Sequence, residues 1–218
     1  ALFYRGERPT FWCPHDETPL AEADIEYEDR PSRLIGIAFA LEGGGRLSIA
    51  TTRPELLAAC RAVIVHPDDA RFRSFHGRTA IVPIYGQKVP IVPHGMAKPD
   101  FGSGAAMICS YGDTVDIQLF RELRLEPVRA IDERGRMTEV TGPLHGLKIE
   151  PGREKVVEEL RRGGFLEKLE PLQHKTPICS RCATPIEFIS SDAWYLKQLE
   201  FRDDLRKLAN TMEFRPSR

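Results

Sequence analysis

Two groups of residues in this sequence have the types and spacing to do chemistry. The first is Cys179-Ser-Arg-Cys182, the spacing at which two thiolates from one tight turn meet a single metal ion. A tetrahedral site needs two more ligands, and Cys13-Pro-His15-Asp16 offers them near the other end of the chain. These residues imply a structural zinc on Cys13, Cys179 and Cys182, with Asp16 or His15 as fourth ligand. The plainer alternative is ordinary cysteines in two loops. Five cysteines, an odd number with one close pair, read poorly as a disulfide framework. Cys60 and Cys109 sit inside apolar runs and read as core thiols.

The second group is Thr51-Thr52-Arg53-Pro54-Glu55, which joins a strand pattern to a helix start. Its amides and two hydroxyls suit a polar ligand or a held water. Further on, Phe101-Gly-Ser-Gly104-Ala-Ala-Met107-Ile-Cys109 reads as a strand whose glycines allow close backbone approach. It runs on to Asp113 and Asp116, which lie i, i+3 and share one face of the helix they open. Such a pair either serves a substrate or simply caps the helix and complements its dipole. None of the six histidines has the spacing of a catalytic triad.

The elements that must position these residues are short. Leu34–Leu41 and Leu47–Ala50 read as strands joined by the turn Gly43-Gly-Gly45. Pro54–Ala59 fits a short helix with Pro at its first position and Thr52 as a cap, and Ala62–Val65 is a buried strand. Strand-like runs follow at Thr79–Tyr85, Lys88–Val92 and Gly104–Cys109, where Pro83, Pro90 and Pro93 argue for edges, bulges or strand ends. Helical patterns cover Leu20–Ile25, Asp113–Leu123, Pro151–Arg162 (closed by Gly163-Gly164) and Arg202–Met212. Short strands with a few helices laid over them imply an α+β fold built on a β-barrel, with a knuckle attached.

The 218 residues allow one large or two small units. With 31 basic and 32 acidic residues, a net charge of −1 supplies no general attraction to nucleic acid. No apolar run approaches a membrane span and no signal pattern opens the chain, so a cytosolic protein without membrane contact is the expectation. The sequence begins without Met and stops just past a helical pattern, as an excised domain would.

Ala50-Thr-Thr-Arg-Pro-Glu-Leu-Leu57, Val65-His-Pro-Asp-Asp69 and Phe101-Gly-Ser-Gly-Ala-Ala-Met-Ile108 together resemble the editing insertion of class I aminoacyl-tRNA synthetases for valine, isoleucine and leucine. Trp12-Cys13, Ala23-Asp-Ile-Glu-Tyr27, Cys182-Ala-Thr-Pro-Ile-Glu187 and Trp194-Tyr-Leu resemble that insertion's stem segments. The order of motifs is the family's, and the valine branch in its archaeal-type form is nearest. The resemblance implies a stem in residues 1–30, an editing β-barrel in 31–170, and the second stem half with a return segment in 171–218. It implies hydrolysis of threonine from the 3′ end of tRNA(Val) with no cofactor for that reaction, in a monomeric piece working with the remainder of a synthetase chain.

By the same resemblance, Asp116 anchors the substrate ammonium and Asp113 suits the threonine hydroxyl. Thr51, Thr52 and Arg53 receive the terminal adenosine and position the water, with Pro54, Glu55, Gly104, Met107 and Cys109 completing the substrate site. Met107 and Cys109 replace the Lys and Thr of bacterial valine enzymes, Ser103 a Thr, and Cys60 an Asp. Asp16 stands where the knuckle has a second Cys. The motifs His-Ile-Gly-His and Lys-Met-Ser-Lys-Ser of the synthetic site are absent, so this piece alone should not activate an amino acid. Two alternatives remain: leucine- or isoleucine-type editing, and a non-catalytic zinc-knuckle RNA-binding module.

Overall fold

The computed structural model describes residues 2–213 and Arg215. The last positions of the expected return segment, 214 and 216–218, lie outside them. The chain divides into two compact units, one of Pro9–Ile189 and one of the residues up to Arg8 together with those from Ser190 onward.

The larger unit opens on the end of strand β1 (Phe3–Cys13), where Trp12 and Cys13 pair with the short β2 (Thr18–Pro19). The helix expected at Leu20–Ile25 is only a 3-10 turn, Glu22–Asp24, because Ile25 already belongs to the next strand. That strand, β3 (Ile25–Leu41), turns through Gly43–Gly45, all three at positive φ, into β4 (Arg46–Thr51). Its inward residues Ile35, Ile37, Phe39 and Leu41 are buried at the alternating spacing a one-sided strand requires.

A 3-10 helix, Pro54–Ala59, carries Pro54 at its first position as expected, but Arg53 occupies the cap position and no Thr52 hydroxyl bonds it. Strand β5 (Cys60–Val65) is apolar and buried from Ala62 to Val65 because both faces are covered there, with Arg61 alone half-exposed. Val63 and Val65 enter the main core, while Ala62 and Ile64 join a second cluster. The strand expected at Thr79–Tyr85 stops early, as β6 (Thr79–Ile81), where Val82 closes a turn onto Gln87 and Ile84 takes positive φ. Strand β7 (Lys88–Pro93) contains Pro90 yet lies between two partners. Its residues 88–90 pair with β6 and 91–93 pair with β5, so Pro90 sits where one partner gives way to the other.

Strand β8 (Ala105–Cys109) runs antiparallel to β5 and leads into α1 (Thr114–Glu122), whose Leu119 and Phe120 fill the second cluster. Helix α2 (Ile149–Arg162) buries Gly152, Val156, Val157 and Leu160 against the main core and ends at Gly163-Gly164. Strand β9 (Leu166–Cys179) then pairs with β3 all the way from Ile37↔Leu166 to Ile25↔Cys179. This ladder runs unbroken past residues 30 and 170.

The main sheet has the order β4-β3-β6-β7-β5-β8, with β9 on β3, and it curls until β4 and β8 lie against each other. The architecture is therefore α+β, a curled half-barrel with few helices. A three-stranded sheet of order β10-β1-β2, with β10 at Glu187–Leu196, accompanies it.

In the smaller unit, Tyr4 stacks on Tyr195 at 5.6 Å and Arg5 pairs with Asp192 at 2.7 Å. The expected helix appears as α3 (Arg202–Thr211), with none of its residues buried.

Candidate functional site

The curl of the sheet brings the end of β4 beside the start of β8, and this approach depends on a missing side chain. A Cβ on Gly102, at φ +59, would lie 2.4 Å from the Cβ of Ala50. We expect Gly102→Ala to lower the unfolding free energy by about 1–3 kcal/mol through strain and steric overlap. An unchanged denaturant midpoint would show that the two segments have room to part.

The groove so formed is a cleft of about 420 Å³. It gathers Thr51, Thr52 and Arg53 from one wall with Gly104, Met107, Cys109, Asp113 and Asp116 from the other. Pro54 and Glu55 lie behind that wall, and Glu55 is fully buried. Phe101, from the glycine-strand motif, and His174 also line the cleft; His174 carried no signal in the sequence, since it arrives on the polar strand β9. A second cleft of about 320 Å³ shares Thr52, Arg53, Gly112, Asp113 and His174 with the first and adds Tyr27, Arg30 and Lys175.

The capping reading of the aspartate pair holds at Asp113, and Asp116 is set apart by its burial. Asp113 caps α1, its Oδ1 accepting the Asp116 amide at 2.8 Å, and its side chain remains exposed. Asp116 is 8% exposed and accepts the amide of Gly112 at 2.7 Å and that of Cys109 at 3.3 Å. Burial, helped by the charge of Asp113, pushes its carboxyl up to about 7, while the two amides and Arg53 pull the other way. A buried carboxylate of this kind is costly unless a cation meets it.

Behind the threonines lies a network of four charged groups. Arg53 Nε donates to Glu55 at 3.1 Å, Nη2 to Glu187 at 2.6 Å, and Nη1 to the Gly112 carbonyl at 3.1 Å. Arg153 of α2 holds both oxygens of Glu55, at 2.9 and 3.0 Å. Burial opposes the charge on Glu55, but Arg153 and Arg53 outweigh it and hold the carboxyl below its ordinary range. In Glu187 burial dominates and raises the carboxyl despite Arg53. The Thr51 hydroxyl accepts the Arg53 amide at 3.0 Å, which fixes the turn between β4 and the 3-10 helix.

The second group of residues also assembles. Ligand atoms of Cys13, Asp16, Cys179 and Cys182 all lie within 4.8 Å of one another. Cys13 Sγ is 3.4 Å from Cys182 Sγ and 3.3 Å from Asp16 Oδ2, and Cys179 Sγ is 3.6 Å from the same oxygen. His15 lies outside this set, its Nδ1 on the other Asp16 oxygen at 2.9 Å. The β3–β9 ladder explains the meeting, because it ends at Cys179 beside the turn that carries Cys13. Burial pushes the Cys13 thiol up to about 12, whereas hydrogen bonds from Thr184 lower Cys182. Three sulfurs and one carboxylate oxygen at these separations form a donor set able to hold a metal ion. Among the described residues, no helix is long and apolar enough to cross a membrane.

Comparison with known proteins gives the family of the chain. Valine–tRNA ligase of Nanoarchaeum equitans is 48% identical over 218 residues, covering 100% of this chain and 29% of that protein. The Pyrobaculum aerophilum enzyme is 48% identical over 217 residues, 99% of this chain and 27% of its own length. That of Aeropyrum pernix is 46% identical over 216 residues, 99% of this chain and 26% of its own. The chain thus spans between a quarter and three-tenths of these relatives. A family model for tRNA synthetases class I (I, L, M and V) matches residues 1–218 from end to end. With the whole sequence inside that match, the chain belongs to the class I tRNA synthetases.

Proposed function

We propose that this chain is the editing module of a valine–tRNA ligase, hydrolysing the ester of threonine mistakenly joined to tRNA(Val). The carrying observation is the cleft in which Thr51 and Thr52 face the buried carboxylate of Asp116. A valine pocket cannot strongly reject threonine, an isostere with a hydroxyl; this is a general property of valine enzymes, not a value obtained from this chain. A second pocket that reads the hydroxyl supplies the missing selectivity.

The aminoacyl ester is already activated, so the cleft needs a held water, an oriented carbonyl and donors toward the developing oxyanion. Asp116 receives the substrate ammonium, whose charge offsets the cost of ionising this carboxyl. Asp113 keeps an exposed oxygen for the threonine hydroxyl, and Thr51, Thr52 and Arg53 receive the terminal ribose and hold the water. The RNA enters as a single strand. The four-residue donor set holds a structural zinc, which is distant in role from the hydrolysis. The module works as a monomer in the cytosol with the remainder of its synthetase.

The test is deacylation of threonyl-tRNA(Val), valyl-tRNA(Val) and norvalyl-tRNA(Leu) by this chain and by the whole protein that carries it. Threonyl-tRNA should be cleared fastest. With a net charge of −1, the separate chain should bind tRNA weakly and lose what it binds as salt rises. The rate should climb sharply in the whole protein, where the 3′ end arrives at high effective concentration. Preference for norvalyl-tRNA would move the assignment to the leucine branch. Tight RNA binding without hydrolysis by either form would leave a non-catalytic RNA-binding module.

A further inference from the structure

The turn that carries Asp113 and Asp116 is held from a part of the chain remote from every motif of the cleft. We propose that Glu187 is a positioning residue for the hydrolytic cleft: its carboxylate fixes the Arg53 guanidinium on the Gly112 carbonyl and thereby sets that turn. The proposal rests on reading the cleft as a hydrolytic site.

The contacts form one connected path. Glu187 Oε2 accepts from Arg53 Nη2 at 2.6 Å, Arg53 Nη1 donates to the Gly112 oxygen at 3.1 Å, and the Gly112 amide donates to Asp116 Oδ2 at 2.7 Å. Each partner has an alternative that the geometry closes off. Glu55 takes Arg53 Nε at 3.1 Å but is held at both oxygens by Arg153, so Glu187 is the carboxylate that fixes the far end of the Arg53 guanidinium. A guanidinium is a planar fork, and fixing Nη2 at one end fixes where Nη1 points. At 5% exposed, Glu187 offers little surface to a ligand, so its effect passes through Arg53.

Burying this ion pair is expensive, and well-packed apolar residues in place of both partners would often serve stability as well or better. What it supplies is direction. It also places the second sheet in the service of the first: Glu187 opens β10, five positions beyond the knuckle residue Cys182, and reaches Arg53 from 134 positions away in sequence. The two residues stand in separate motifs of the sequence, and nothing there signals their pairing.

The experiment compares Glu187→Gln with the unaltered protein, in the whole protein that carries this chain, using threonyl-tRNA(Val). The variant keeps the side chain's shape and removes its charge. We expect kcat for deacylation to fall by about tenfold or more while KM changes by less than about twofold, because alignment matters most in the transition state. In an Arg53→Met background the same change should cause no further loss. Thermal midpoints and metal content, measured alongside, report whether the fold is kept.

A second readout needs no turnover. The Asp116 carboxyl, raised to about 7 by burial and Asp113, should titrate higher in Glu187→Gln by carbon-13 NMR, because the Gly112 amide and Arg53 no longer hold their places. Loss of a negative charge at fixed geometry would move it lower instead. Wild-type kcat in the variant, an equal loss in both backgrounds, or an Asp116 midpoint that stays or falls would overturn the proposal. If the unaltered protein clears no threonyl-tRNA, the hydrolytic reading falls, and the titration still decides whether Glu187 sets the turn.

Discussion

Asp116→Ala is expected to reduce clearance of threonyl-tRNA(Val) by at least ten- to a hundredfold while the fold survives. The lost interaction is a charge-assisted hydrogen bond to the substrate ammonium, worth roughly 1.5–3 kcal/mol, and each 1.4 kcal/mol is tenfold. Asp116→Asn should be nearly as damaging. Its amide nitrogen cannot accept from the Gly112 or Cys109 amides, both of which now donate to the carboxylate.

The acid limb of the reaction follows from the same residue. With its carboxyl raised to about 7, Asp116 is protonated at mildly acid pH and cannot hold an ammonium ion. Deacylation, corrected for spontaneous ester hydrolysis, should therefore fall as pH drops below about 7. Stability should move in the opposite sense. The folded state binds the proton more tightly than the unfolded chain, whose carboxyl titrates near 3.9. The contribution of Asp116 to stability is thus greatest below about pH 4, declines as pH rises to about 7, and is level beyond. The full difference is on the order of 4 kcal/mol. The protein accepts this cost at working pH, and a bound ammonium relieves it. Asp116→Ala should flatten that part of the stability profile. Unfolding at pH 5 and pH 8 measures it, and a wild-type slope in the variant would assign the titration to another group. Near wild-type deacylation in Asp116→Ala would remove the residue from the site.

What was legible in the sequence was local. The glycine turn at Gly43–Gly45, the apolar run of β5, the i, i+3 aspartates and the amphipathic α2 each declare themselves within a dozen residues. The ladder between β3 and β9 does not, because Ile25–Arg33 and Lys168–Lys175 are dominated by polar side chains and carry no apolar strand pattern. Its stability comes from backbone pairing that no single segment reveals. His174 escaped notice for that reason: it reaches the cleft only once this ladder forms.

Charge told less than spacing did. Glu55 sits next to the cleft residues in sequence but behind them in space, tied to Arg153. The short helix at Pro54–Ala59 turns the carboxylate inward, and nothing in five adjacent residues records which way a 3-10 turn will face. The Arg53–Glu187 and Arg153–Glu55 pairs join positions far apart in the chain, so their logic exists only in the fold. The fourth metal position was partly legible. Both His15 and Asp16 had suitable chemistry, and the tight turn after Cys13 brings the Asp16 carboxylate in among the thiols, with His15 supporting it from outside.

Metal analysis of the protein purified without chelator should find about one zinc per chain, bound by three sulfurs and one oxygen. A tetrahedral ion with bonds of about 2.3 Å to sulfur and 2.0–2.2 Å to oxygen sets three sulfurs and one oxygen about 3.5–3.8 Å apart. Three of the six separations among Cys13, Cys182, Asp16 and Cys179, at 3.4, 3.3 and 3.6 Å, lie close to that range and all six are within 4.8 Å, so binding demands shifts of the side chains alone. The cluster beneath, of Leu20 and Ile186 with the two buried cysteines, is too small to hold these turns by burial alone. Zinc should therefore contribute much of their local stability. Chelation should speed amide exchange around Cys13–Asp16 and Cys179–Cys182 far more than in β5 or α2, whose residues belong to the larger cores. Cys179→Ala should abolish stoichiometric binding, and Asp16→Cys should tighten it by supplying a fourth thiolate. His15→Ala, which removes the residue supporting the Asp16 carboxylate, should weaken affinity by about ten- to a hundredfold without changing stoichiometry. Absorption at the zinc edge distinguishes three sulfurs and one oxygen from a hydrated surface ion. Less than a tenth of an equivalent of metal, or exchange rates at Cys179–Cys182 indifferent to chelator, would mean that these four side chains pack together without an ion.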